Sequence, residues 1–343
     1  MRVTTQELIA APVPDLLACA QELVRPVLNR TVADMHPELR RICGYHFGWS
    51  QQDGSAVDKP PQGKALRSAL VLLSAAAYGD NSAPVLEGAA AMELVHNSTM
   101  MHDDVMDGDE MRRGRPAVWA VYGIAWALLA GDALWVAANR CLQAVGRPDT
   151  LGLLGDASSA LVNGQGGELH LASREVAGIG LEEYTAMAAG KTSALLECAL
   201  GIGAALGGAG KETVTELRFA GHHLGIAWQA ANDIEDIWAD PAVTGKPPMG
   251  DLRERKPTLP MIAALHSGGP HAQALAHAVR DRELWPEPHE LAALIEKAGG
   301  RSGAAALSNR HLAESLSHLD RAVLHPAADE AMRRLFRFIV TRG

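Results

Sequence analysis

The sequence predicts an all-α protein, a bundle of helices in which 343 residues could form one large domain or two. Three observations predict it. Alanine and leucine dominate the apolar residues over valine, isoleucine and the aromatics, which favours helix. Apolar residues recur at helical spacing near the start of the chain, at Leu16, Leu17, Leu23, Val24, Val27 and Leu28. Two acidic clusters, Asp103-Asp104-x-x-Asp107 and Asn232-Asp233-x-x-Asp236, place their outer residues one helical turn apart.

Residues 1–14 carry Glu7, Pro12, Pro14 and no apolar run, so they are expected as a flexible terminus rather than a signal peptide. Residues 15–42 read as one or two amphipathic helices that pack and do no chemistry. A loop follows over 44–63, punctuated by Gly54, Pro60 and Pro61. It ends where a helix opens, placing Lys64 and Arg67 on one face of a helix N-terminus, where dipole and amides also favour an anion. Alone, these two cations read as a solvated surface. The uncharged run Ala117–Gly131 is too short to span a bilayer, is closed by Asp132, and is expected as a central helix of the bundle.

Gly166 and Gly167 each weaken a helix by about 1 kcal/mol relative to alanine, so a kink or a close helix contact is expected there. Lys191 and Thr192 stand inside an apolar stretch, Tyr184–Leu196, and are costly to bury unless paired. Residues 241–258 are rich in proline, glycine and lysine and are expected as a loop at the mouth of a site. The rest of the chain reads as further helices, with the arginines near its end (Arg333, Arg334, Arg337, Arg342) on the surface.

The formal net charge is −9, so a nucleic-acid partner is not indicated, and positive charge is local. Cys19, Cys43, Cys141 and Cys198 are scattered without CxxC spacing and read as reduced, buried thiols of a cytoplasmic protein.

The chemistry concentrates between Glu93 and Pro116. Three ionised carboxylates in one turn repel each other, and a divalent cation removes that repulsion; carboxylate oxygens are ligands magnesium prefers. Arg112 and Arg113 follow at once, beside Gly114 and Pro116. Cations beside a metal-binding cluster make sense if metal and arginines grip one polyanion together. A solvated acidic turn before a basic loop would look similar, but the second cluster at 232–236, preceded by Gln229, changes the odds. Two such clusters facing each other across a cavity would hold a metal–diphosphate.

In this combination of motifs the sequence resembles the trans-isoprenyl diphosphate synthases, the polyprenyl synthetase family that includes farnesyl and geranylgeranyl diphosphate synthases. The resemblance runs from about Tyr45 to Pro260. It implies an isoprenoid-synthase bundle, a single domain over residues 1–343 around a central active-site cavity, with magnesium, three ions per site once substrate is bound, ligated by Asp103, Asp104, Asp107, Asn232, Asp233 and Asp236. Lys64, Arg67, His96 and Arg113 would bind isopentenyl diphosphate. Arg112, Lys191, Lys246 and Lys256 would hold or close over the allylic diphosphate, while Thr192 and Gln229 present oxygens to the allylic carbocation. The proline that the family usually carries after the arginine is Ser68 here, a change expected to be without consequence. Gly131-Asp132 is shared with the family and is expected to serve packing. Glu168 replaces the aspartate of Gly-Gln-x-x-Asp-Leu, and Asp251 is shared without a clear role.

The implied reaction is ionisation of the allylic diphosphate, attack by the double bond of isopentenyl diphosphate, and loss of a proton to the departed diphosphate. Ser98 and Thr99, small residues before Asp103, would line the hydrocarbon channel and leave room for geranylgeranyl diphosphate. A homodimer is implied by the family alone. Two other classes are weighed. A class I terpene cyclase is favoured by Asn232, Asp236 and Asp240 at i, i+4, i+8, and disfavoured by Lys64, Arg67, His96 and Arg113, which would have no anion to bind. A non-catalytic partner subunit is disfavoured by the intact first aspartate cluster.

Overall fold

The structure, a computed structural model, describes residues 4–58, 65–79, 82–240, 248–280 and 285–341. Among the described residues the secondary structure is helical apart from one two-residue-by-two-residue hairpin and one isolated bridge. The helices are α1 (Thr5–Ala10), α2 (Val13–Ala33), α3 (Pro37–His46), α4 (Leu66–Ala76), α5 (Ala83–Asp107), α6 (Val118–Tyr122), α7 (Ile124–Val145), α8 (Pro148–Ala172) and α9 (Leu181–Ala188). A π-helical turn, Ala189–Ser193, leads into α10 (Ala194–Gly207) and α11 (Lys211–Trp238). Then come α12 (Gly250–Arg253), α13 (Leu259–Leu265), α14 (Gly269–Ala278), α15 (Pro288–Lys297), α16 (Gly300–Arg321) and α17 (Pro326–Thr341).

The chain divides into two compact units, the first formed by Met1–Gly155, Cys198–Thr215 and Val323–Met332, the second by Asp156–Glu197, Glu216–Ala322 and Arg333–Gly343. In the first unit every residue of α4 is buried, including Arg67, Ser68 and Ser74. Ser74 satisfies its hydroxyl by donating to the Leu200 carbonyl at 2.7 Å, as a buried polar group must. Helix α5 passes beside α4 and buries Val85, Ala89, Met92, Leu94, Val95 and Met101, leaving its acidic end for the site.

In the second unit the core gathers Leu171, Tyr184, Ile226, Ile237, Leu259, Met261, Ile262 and Ile295. Its tightest approach is backbone on backbone: a Cβ on Gly190 would lie 2.8 Å from the Gly164 Cα. Only glycine lets α8 come this close to the π-helical turn that carries Lys191 and Thr192.

Several expectations are corrected. The N-terminus is helical from Thr5, closed by a Thr4–Glu7 capping box and anchored by buried Leu8. The uncharged run is broken at Gly123, and α7 is not internal on every side: Ile124, Leu128 and Leu129 in its first two turns, and Val136 further on, are exposed. Helix α8 runs unbroken through Gly166 and Gly167, and the close contact falls on Gly164 instead, because helical phase turns Gly166 to open space. Within 241–258, residues 250–253 form α12, while 241–247 lie outside the described residues. In the loop after α3, Ser50 and Ala56 form a bridge. Of the arginines near the end of the chain, Arg337 is exposed, whereas Arg333 and Arg334 are half-buried.

No helix among the described residues is long and apolar enough to cross a membrane. Three of the four cysteines are buried, and burial pushes the Cys43 thiol up to about 12 and the Cys141 thiol to about 11.

Candidate active site

The first unit gathers cations. Helix α5 ends at Asp107, and the chain reverses through β1 (Met111–Arg112) and β2 (Arg115–Pro116). Arg113 and Gly114 form the two-residue turn, both left-handed at φ 53° and 74°, as a tight hairpin turn requires. The hairpin is pinned by Tyr45, whose hydroxyl donates to the Pro116 carbonyl at 2.8 Å, and by Arg115, stacked 4.2 Å over the Tyr45 ring.

This turn carries Arg113 back toward α5, where its Nη2 donates to Asn97 Oδ1 at 3.4 Å. His46, at the end of α3, meets the same oxygen at 3.1 Å. Arg67 enters from α4. The result is a cationic pocket whose members suppress one another's charge. Burial, then Arg113, pushes His46 down to about 3. Burial, then Arg67 and Arg113, holds His96 well below its ordinary value. Burial lowers Arg67 to about 10 and also lowers Arg113, with Glu93 opposing both shifts. A cluster of this kind favours an anion that would neutralise it. The sequence reading placed Arg67, His96 and Arg113 here and missed His46, Asn97 and Glu93; Glu93 and Asn97 flank His96 on α5, the only signal available.

The first acidic cluster splits by helical phase. Asp103 and Asp107 are partly exposed on one face. Asp104 faces inward, 1% exposed, and accepts from Arg112 Nε at 2.7 Å through Oδ1, while Oδ2 stays buried without a hydrogen bond. Arg112 also bonds Asp109 at 3.0 Å. Burial raises the Asp104 carboxyl despite this partner. Asp104 is therefore first the anchor of Arg112, and the outward pair is Asp103 with Asp107. Ser98 is fully buried with its hydroxyl unbonded, and Thr99 Oγ1 donates to the His96 carbonyl at 2.8 Å. Gly131 accommodates the His102 ring, a packing role as expected.

The second unit gathers acids. On α11 the same phase recurs: Asn232 and Asp236 are partly exposed, and Asp233 is 2% exposed. Asp233 is not a free ligand. Its Oδ2 accepts from the Tyr184 hydroxyl and from the Leu259 amide at 2.8 Å, and its Oδ1 from Gln229 Nε2 at 2.8 Å. Burial, the largest effect, outweighs these bonds and pushes it up to about 6. Gln229 in turn accepts from Thr192 Oγ1 at 2.7 Å. The chain of bonds fixes polarity: Thr192 gives its only proton to Gln229, so the oxygen keeps its lone pairs for anything electron-poor. Tyr184 and the Leu259 amide were not legible as site groups, because only the fold brings them to Asp233.

Lys191 is ion-paired with Glu168, which also accepts from Gln165 Nε2 at 3.1 Å. Asp251, at the start of α12, donates its amide to Asp236 Oδ2 at 3.1 Å. Its own carboxyl is pushed up to about 7, by burial first and then by Asp236 and Asp233. Lys256 lies beside it and pairs with Glu254 at 2.8 Å. Lys64 and Lys246 lie outside the described residues.

The donors are of the type a hard divalent cation takes: they are all oxygen, and Asp104 Oδ2 is an orphaned buried acceptor. Among the described residues, no three acidic, histidine or cysteine side chains are drawn together as a ready metal site. Asn232 fits as a neutral oxygen donor and lowers the charge of its set.

A family model described as polyprenyl synthetase matches residues 56–296. The (2E,6E)-farnesyl diphosphate synthase of Mycobacterium tuberculosis is 37% identical over 362 aligned positions, which cover 100% of this chain and 99% of that protein. The geranylgeranyl diphosphate synthase of the same organism is 38% identical over 91% of this chain and 90% of its own length. The crystal structure of a polyprenyl synthetase from Streptomyces coelicolor superposes with TM-score 0.89 at 38% identity, covering 96% of this chain and 100% of that one. A family match over most of the chain, full-length relatives and the two divided acidic helices agree: the protein belongs to the polyprenyl synthetase family and is a prenyltransferase of isoprenoid biosynthesis.

Proposed function

We propose that the protein is a chain-elongating synthase that joins isopentenyl diphosphate to an allylic diphosphate and makes geranylgeranyl diphosphate. The observation that carries the elongase reading is the gathering of Arg67, His96 and Arg113 in the first unit, close enough that the two arginines depress the His96 imidazole. An enzyme with a single diphosphate substrate has no use for it. The cyclase alternative loses its third member, since Asp240 stands beyond the last residue of α11.

In this reading Asp103, Asp107, Asn232 and Asp236 hold magnesium ions, which when bound stabilise charge on the leaving diphosphate. In the first unit Arg112, set by Asp104 and Asp109, is the residue offered to the allylic diphosphate; in the second unit Lys191, set by Glu168, and Lys256 are. Thr192 turns an oxygen, not a proton, toward the allylic cation, which favours attack by the double bond. Water must be kept out, because it would quench that cation. The departed diphosphate takes the proton, so no side-chain base is required.

The C20 product follows from the small side chains Ser98 and Thr99 before the first cluster; the relatives carry both C15 and C20 names. The exposed apolar positions of α7 (Ile124, Leu128, Leu129, Val136) support a homodimer. The scattered reduced cysteines support a cytoplasmic setting.

The test is incubation of the purified protein with magnesium, isopentenyl diphosphate and each allylic diphosphate from C5 to C15, followed by chain-length analysis. A C20 alcohol after dephosphorylation is expected. A C15 product would keep the reaction and overturn the reading of Ser98 and Thr99. Hydrocarbon formed without isopentenyl diphosphate would overturn the elongase.

A further inference from the structure

Ser68 follows Arg67 at the opening of α4 and finds its partner on α5. It is the third residue of α4's opening, fully buried, and its backbone N–H donates to Glu93 Oε1 at 3.2 Å. Its Oγ lies 3.1 Å from the same Oε1 and 2.9 Å from the Ala65 carbonyl, so its single proton is shared between two acceptors. Proline could supply neither donor.

Glu93 lines one small cavity together with Ser68, Asn97 and Arg113. It opposes the loss of charge on both Arg67 and Arg113, and its own carbonyl accepts from Asn97 Nδ2 at 2.8 Å. Asn97 in turn receives Arg113 and meets His46. A half-buried carboxylate beside guanidinium groups can act in two ways. Left mobile, it closes onto them and competes with an incoming anion. Held by other donors, it neutralises the pocket from a distance and leaves the guanidinium N–H groups directed at the anion.

We propose that Ser68 and Glu93 form a positioning pair that sets the affinity of the Arg67–Arg113 pocket for the diphosphate of the non-allylic substrate. The proposal rests on the reading of that pocket as the isopentenyl diphosphate site. Ser68 restrains Glu93, and neither residue touches the reacting atoms.

The experiment is steady-state kinetics at saturating allylic diphosphate and magnesium, with KM for isopentenyl diphosphate, KM for the allylic substrate and kcat read separately. Ser68→Ala and Ser68→Pro are expected to raise KM for isopentenyl diphosphate by about three- to tenfold, the scale of one or two hydrogen bonds to a charged group, with kcat and the allylic KM unchanged. Glu93→Gln is expected to move the same KM the other way, because it removes the competing charge. In the Glu93→Gln background the Ser68→Ala effect is expected to vanish, which a merely structural role would not produce. A Ser68→Ala effect that persists in that background, or that falls equally on kcat and on both KM values, would overturn the pair. Arg113→Gln separates the two levels. If it raises KM for isopentenyl diphosphate while Ser68→Ala does not, the pair fails and the pocket stands. If Arg113→Gln leaves that KM unchanged, the pocket reading fails and the pair falls with it. Should Glu93→Gln not fold, as seen by circular dichroism, Glu93→Asp replaces it: the shorter carboxylate draws away from Ser68, and a KM insensitive to Glu93→Asp would overturn the proposal.

Discussion

On α5 the inward carboxylate, Asp104, meets a guanidinium; on α11 the inward carboxylate, Asp233, meets a phenol, an amide side chain and a backbone N–H. The spacing of the two clusters is the same, and in both the outer residues one turn apart are partly exposed. The surroundings are opposite in sign. The first unit crowds Arg67, Arg113, His96 and His46 together and depresses basic groups. The second crowds Asp233, Asp236 and Asp251 and raises acidic ones. One local motif therefore serves two tasks. Its outward pair is suited to metal in either place, and the partner of its inward residue decides what else it fixes: Arg112 in one unit, the Gln229–Thr192 relay in the other.

The largest effect expected is from an outward carboxylate. Asp107→Ala should lower kcat/KM by about a thousandfold or more, the scale of lost transition-state charge stabilisation. It should also abolish the thermal stabilisation given by magnesium with a non-hydrolysable diphosphate, while barely changing the melting temperature of the metal-free protein. If Asp104→Ala and not Asp107→Ala removes that stabilisation, the division by helical phase is wrong.

The inward residues should separate next. Asp104→Asn removes the buried charge paired with Arg112, leaving Asp109 as its carboxylate partner, and should cost about 3 kcal/mol. Asp233→Asn keeps an oxygen for neutral donors and should cost about 1–2 kcal/mol. Denaturant unfolding of the two variants checks the order; equal costs would erase the contrast between their partners.

The cationic pocket predicts a pH dependence of definite sign. His46 is pushed down to about 3 in the fold, and burial is the first cause. Its unfolded value is about 6.5, so between these values the unfolded chain binds one more proton. Its contribution is complete above about pH 6.5 and is lost on acidification toward pH 3, with a slope of at most about 1.4 kcal/mol per pH unit. His46→Gln should flatten that part of the stability profile, measured by unfolding between pH 4 and 7. An unchanged slope would mean that other groups set acid sensitivity.

The smallest effect belongs to Asn232. Asn232→Asp restores a charge to the second cluster and should lower the magnesium concentration for half-maximal activity about two- to fivefold, the scale of one added ligand charge. A rise would show that the neutral donor relieves the acids around Asp236 and Asp251.

The helical class and the site helices were legible because they rest on period: alanine and leucine content, and carboxylates one turn apart. Arg67, His96 and Arg113 were legible from a family pattern, as were Lys191, Thr192 and Gln229. The burial of Asp104 and Asp233 was not legible, since side chains one residue apart leave a helix about 100° apart, and period alone does not say which side is interior. Ser68 was dismissed for a similar reason: its value lies in a bond to Glu93 from a different helix, 25 positions along the chain.

The sequence by itself determined the helices, the two acidic turns and the local surplus of cations, all properties of residue type and spacing within one turn or loop. Only the tertiary structure decided which carboxylate of each cluster is buried, that Gly164 rather than Gly166 meets the Lys191 turn, and that Tyr184 and Leu259 orient Asp233. Burial and hydrogen-bond partnership depend on what packs against a residue from elsewhere in the chain, and no local pattern encodes that.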